Sequence, residues 1–197
     1  SGNQTENAFY LGDGNFNFKD VSKVSGITSP NSWSTGVSVL DINRDGLLDI
    51  YVCKSGHPED INRRNELFVN IGTDDNGIPR FSEQAQDYGI DILGYSVHAQ
   101  FIDYDLDGDL DMYLSNNSIK PSENIMDVKK GLREKDGDLG GDLFYRNDNG
   151  FFNDVTKISG IYTSSIGFGL GVSISDINQD GWPDIYVAND FFEKDYL

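Results

Sequence analysis

The chain is 197 residues long, enough to bury a sizeable core, and sets 33 acidic against 15 basic residues for a formal charge of −18. Such a field repels phosphate, which argues against nucleic acid and anionic membrane surfaces as partners. The single cysteine, Cys53, excludes an internal disulfide scaffold, and no stretch approaches the ~18 consecutive apolar residues of a membrane span.

From the N-terminus, AFYLGDGN (8–15) and FKDVSKVSGI (18–27) read as two short strands and a turn. GVSVL (36–40) is a strand running into the acidic stretch DINRDGLLDIYV (41–52), and DIYVCK (49–54) is the strand leaving it. After a polar connection, ELFVN (66–70) and RFSEQA (80–85) complete four strands, punctuated by Gly, Asn and Asp. The pattern then recurs. FSEQAQDYGI (81–90) and FNDVTKISGI (152–161) repeat the Phe, Gly and final Ile of residues 18–27; DLFYRNDNG (142–150) repeats NELFVNIG (65–72). Acidic stretches return as DYDLDGDLDMYL (103–114) and DINQDGWPDIYV (176–187), giving units of 62 and 73 residues from first Asp to first Asp.

A four-stranded antiparallel sheet repeated along a chain predicts an all-β fold, a β-propeller of four-stranded antiparallel blades; a β-sandwich is the competing reading, but sandwiches do not repeat a whole sheet with the same loop in the same place. The expected division is 1–27 as the last two strands of a blade, 34–90 and 96–161 as blades, and 167–197 as an incomplete blade. On that division the chain is expected to be a partial ring, part of a larger propeller.

Eleven of the 33 acids lie in the three acidic stretches. In D-x-N/D-x-D-G-x-x-D, side chains at positions one, three and five converge when the backbone curls. Glycine at position six permits the bend, position seven offers a carbonyl, and position nine adds a carboxylate. Such a cage of hard oxygens suits Ca²⁺, with its flexible coordination, better than Mg²⁺; the lack of thiolate or imidazole makes it poor for zinc or copper. Three sites are expected. The first uses Asp41, Asn43, Asp45, the Leu47 carbonyl and Asp49; the second Asp103, Asp105, Asp107, the Asp109 carbonyl and Asp111; the third Asp176, Asn178, Asp180, the Trp182 carbonyl and Asp184. An EF-hand is excluded because position twelve is Val52, Leu114 or Val187 where a bidentate Glu is required, and the flanks are strand-like. The competing reading is a set of Asp/Asn/Gly turns that need no metal. Three or four like charges within a few ångströms are costly without a cation, and the pattern occurs three times.

These loops, with LFYRNDNGFFNDVTKISGI and GLGVSISDINQDGWPDIYVANDFFEKDYL, resemble the FG-GAP/VCBS repeats of integrin-α-type propellers. More narrowly they are similar to bacterial proteins that join such repeats to an ASPIC/UnbV module, relatives of cartilage acidic protein 1. The resemblance implies a Ca²⁺-stabilised propeller, usually seven-bladed, in secreted, periplasmic or surface-attached proteins. It also implies an extracellular binding or adhesion scaffold with a protein or glycan ligand on the propeller face. The FG and GAP signatures depart from the pattern: GVSVL, HAQFI and GVSIS stand in the place of the first. An ASPIC/UnbV module would lie downstream of these residues.

Other features carry less. The connection Ser115–Gly141 contains SENIMDVKKGLREK (122–135), which reads as a short amphipathic helix with a basic cluster, Lys129, Lys130, Arg133 and Lys135. It is either a partner contact or a solvated insertion. His57 falls in a polar loop, and His98 in a strand where the other units have Gly36 and Gly171, near the propeller centre. No catalytic residue is assigned. The propeller portion of a carbohydrate-active enzyme such as a polysaccharide lyase is the alternative function, in which Trp33, Trp182 and tyrosines would stack on sugar rings; such aromatics are otherwise expected in the core.

Overall fold

In the computed structural model, residues 6–29, 32–56, 60–118, 140–190 and 193–197 are described; the expected helix 122–135 with its basic cluster, and His57, lie outside them. The strands are β1 (Tyr10–Gly12), β2 (Phe18–Asp20), β3 (Ser34–Leu40), β4 (Asp49–Lys54), β5 (Glu66–Thr73), β6 (Pro79–Glu83), β7 (Ser96–Ile102), β8 (Asp111–Asn116), β9 (Leu143–Asn147), β10 (Phe152–Asp154), β11 (Gly169–Ser175) and β12 (Asp184–Asn189). Strands β3-β4-β5-β6 and β7-β8-β9-β10 form two four-stranded sheets in sequential order, antiparallel throughout; β1-β2 and β11-β12 form two-stranded sheets. The fold is thus all-β, built from four-stranded antiparallel sheets of the propeller-blade kind.

The apolar residues of β4 occur at both parities because both faces of its sheet are covered. Tyr51 and Cys53 face Ala99, Met112, Leu114 and Phe152 of the next sheet, in a cluster completed by Leu67, Val69 and Ile90. Val52 and Phe68, on the other face, pack with Ile27. Sheet three repeats the arrangement, with Tyr113 and Phe144 turned towards Val187 and Tyr196. The repeated Gly-Ile ending also has a local cause. Helical turns α1 (Ser22–Ser25) and α2 (Thr156–Ser159) close on Gly26 (φ 87°) and Gly160 (φ 81°), left-handed caps that glycine adopts without strain.

Neighbouring sheets approach closely along β3 and β7. A β-carbon on Gly36 would lie 2.1 Å from the Val97 carbonyl oxygen, so this position admits only hydrogen. Thr35 Oγ1 donates to the Ser96 carbonyl (2.6 Å) and Ser38 Oγ to the Ala99 carbonyl, extending the contact. Each of β3, β7 and β11 carries a register shift near its start, and His98 stands beyond that shift where Gly36 and Gly171 stand in the others. Some details differ from the sequence reading: β3 starts two residues earlier, at Ser34, and β5 runs on to Thr73. Strand β6 runs Pro79–Glu83, and Ala85 already belongs to the turn after it. Trp33 and Trp182 are surface residues, 63% and 53% exposed, because one lies just before β3 and the other at the tip of a loop.

Candidate metal centre

Each acidic stretch is the hairpin loop joining the first two strands of its sheet: residues 41–48 between β3 and β4, 103–110 between β7 and β8, and 176–183 between β11 and β12. The three loops share one backbone path. Position four is left-handed in each, at Arg44 (φ 60°), Leu106 (φ 62°) and Gln179 (φ 63°), as is the glycine at position six, Gly46, Gly108 and Gly181. A non-glycine residue in that region is uncommon, and its recurrence marks a bend set by the loop as a whole.

Side chains hold the bend. In the first loop Asp41 accepts from the Asp45 and Gly46 amides (3.1 and 2.9 Å), Asn43 Oδ1 from the Asp45 amide, and Asp45 from the Leu47 amide (2.8 Å). The third loop repeats these bonds through Asp176, Asn178 and Asp180, with Asp180 accepting from the Trp182 amide. In the second, Asp103 accepts from the Gly108 amide (3.0 Å) and Asp107 from the Asp109 amide (3.0 Å).

The ninth-position acids do more than the sequence showed. Asp49 accepts from the Ile42 amide (2.9 Å) and the Asn70 amide (2.7 Å); Asp111 accepts from the Tyr104 and Asn147 amides (3.1 and 2.8 Å). Each thus ties its loop to the sheet's third strand. Asp184 accepts from Ile177 in the same way. The Asn recurring in ELFVN and LFYRN adds a side-chain tie of its own, Asn70 Nδ2 donating to the Leu48 carbonyl (3.3 Å) and Asn147 Nδ2 to the Leu110 carbonyl (3.2 Å). Burial pushes the Asp111 carboxyl up to about 6 against these hydrogen bonds, with Asp105 and Asp109 adding repulsion. Burial likewise raises Asp49 and Asp109.

The second loop brings carboxylates together most tightly: oxygens of Asp103, Asp105 and Asp111 lie within 4.8 Å of one another. Asp103 Oδ1 and Asp105 Oδ1 are buried and have no hydrogen-bond partner, which is the condition a hard cation relieves. This donor set therefore fits Ca²⁺. Asn43 Nδ2 and Asn178 Nδ2 instead donate to Asp45 and Asp180 (2.9 and 3.0 Å), so the first and third loops satisfy part of their oxygen surplus internally. One feature had no sequence signal: the Asp109 side chain, expected to offer only its carbonyl, is itself buried with an unpartnered Oδ1. Another is Arg44, which crosses from the first loop to donate to the Gly108 carbonyl of the second (2.8 Å).

Residues 1–52, ending just past the first loop, match the family model described as an FG-GAP-like repeat. Human integrin alpha-6 is 45% identical to this chain over 57 residues, 28% of the chain and 5% of integrin alpha-6. The chain is thus similar over its first 52 residues to an FG-GAP-like repeat, and it spans only a small part of the length of the integrin it matches.

Proposed function

We propose that this chain is a run of FG-GAP/VCBS propeller blades that serves as an extracellular or cell-surface binding scaffold, with Ca²⁺ bound structurally in each acidic hairpin. The proposed units are 1–27, 34–90, 96–161 and 167–197, and the proposed kin are the bacterial ASPIC/UnbV-type proteins. The ligands are those of the D-x-N/D-x-D-G-x-x-D pattern, from Asp41–Asp49, Asp103–Asp111 and Asp176–Asp184. When bound, the cation neutralises three or four converging carboxylates and so removes the repulsion that opposes the curled loop. The chain's own residues do the rest: Asp49 and Asp111 anchor their loops to the third strand of the sheet, and the left-handed fourth and sixth residues set the bend of each loop.

The observation that carries this reading is the Asp103, Asp105 and Asp111 cluster with its two orphaned buried oxygens. Calorimetric titration of the chelator-treated protein with CaCl₂ tests it. Asp105→Ala is expected to remove one binding equivalent and leave the remainder. An unchanged stoichiometry, or no calcium heat in the parent, refutes the assignment.

A further inference from the structure

A cavity of about 740 Å³ opens between the second and third sheets, away from the acidic loops. Its apolar walls include Ile92, Leu93, Leu143 and the ring of Tyr145; Arg64, Asp91, Asp154 and Lys157 also line it. Arg64 Nη1 donates to the Asp91 carboxylate (2.9 Å) and the Asp91 carbonyl (3.0 Å), which fixes that edge. The Tyr145 phenol is pushed up to about 12, by burial first and then by the Asp154 and Asp91 carboxylates near it.

The preceding junction is a control within the same molecule. By strand register, Ile50↔Phe68 and Val52↔Glu66 correspond to Met112↔Tyr145 and Leu114↔Leu143. Phe68 thus stands where Tyr145 stands, Glu66 where Leu143 stands, and Lys54 where Asn116 stands. There the space is occupied: the buried Lys54 Nζ reaches Glu66 Oε1 (2.6 Å) and Ser29 Oγ (2.7 Å), and Phe68 packs on Ile27. At the second junction Asn116 and Leu143 stand in place of the ion pair, the phenylalanine gains a hydroxyl, and a cavity of ligand size results. Blade packing alone asks for none of these changes.

We propose that this cleft binds a neutral sugar ring of a glycan. Aliphatic and aromatic walls match the C–H face of a pyranose, while carboxylates accept and a guanidinium donates to its hydroxyls. The two cations and two carboxylates balance, in a chain of charge −18, so the cleft selects neither polyanion nor polycation. The inference rests on the binding-scaffold reading above and names its ligand class; it is independent of calcium occupancy in the loops.

The test is saturation-transfer NMR and calorimetry on the calcium-saturated full chain with cellobiose, maltose, lactose and N,N′-diacetylchitobiose, and with a trigalacturonate as anionic probe. At least one neutral disaccharide is expected to bind saturably. Tyr145→Phe, which installs the sister blade's residue, should weaken it about tenfold or more, and Leu93→Trp should fill the cleft and abolish it. Melting curves of both variants should stay close to the parent's. Failure of every neutral sugar to bind at tens of millimolar overturns the proposal. So does unaltered binding by Leu93→Trp when that variant is folded, or a preference for trigalacturonate. Chelator melting of the same samples reports the calcium reading separately.

Discussion

Asp142 shows how a single atom's surroundings set a local free energy. It is buried, accepts the Tyr113 hydroxyl (2.7 Å) and the Asn116 amide (3.0 Å), and burial pushes its carboxyl from 3.8 up to about 6. Asn65 fills the equivalent place in the preceding sheet, accepting from the Lys54 amide and donating to the Tyr51 hydroxyl. The folded form holds the Asp142 proton more tightly than the unfolded chain. The destabilisation is therefore absent well below pH 3.8, grows as pH climbs to about 6, and is complete above that. Asp142→Asn is expected to raise stability at pH 7 by up to about 3 kcal/mol, with the gain vanishing near pH 3. Urea denaturation of both proteins at the two pH values checks this; an equal effect at both would mean the ionised form carries no penalty.

The strand is the scale at which neighbouring units meet. β3 approaches β7 so closely that the Gly36 position has no room for a methyl group against the Val97 backbone. A carbonyl cannot swing aside as a flexible side chain does. Gly36→Ala is expected to cost about 1–3 kcal/mol, by overpacking. Gly171→Ala supplies the comparison, since nothing lies within 4 Å of its hypothetical β-carbon. Chemical denaturation should therefore separate the two substitutions clearly, and equal losses would show that strand conformation, not the junction, sets the requirement.

For the molecule as a whole, charge is the dominant stress. Eleven carboxylates crowd three loops of a chain already at −18. Proposed occupancy by Ca²⁺ stabilises the folded form by RT ln(1 + [L]/Kd), about 2.7 kcal/mol per site at a hundredfold excess over Kd. Chelation is accordingly expected to lower the melting temperature, and re-addition of CaCl₂ to restore it; MgCl₂ should restore less, because an octahedral ion keeps its waters. Differential scanning calorimetry decides the matter, and a melting temperature indifferent to chelator would reduce the loops to self-bonded turns. No helix among the described residues is long and apolar enough to cross a membrane.

Much of what local pattern governs was legible in the residues. The unit repeats, β4 has the bounds read from DIYVCK, the hairpin loops fall where charge concentrates, and His98 aligns with the two glycines. Alternation, turn chemistry and internal repetition act over a few residues, so a linear string records them. Contacts between sheets were not legible, because each depends on residues tens of positions apart. Only the tertiary structure showed that Asp49 and Asp111 spend their oxygens on the third strand, that Asp109 buries its side chain, and that Trp33 and Trp182 stay at the surface. It alone separated the two junctions: one filled by Lys54 and Glu66, the other left as a cleft beside Tyr145, although both arise from the same repeated sequence pattern.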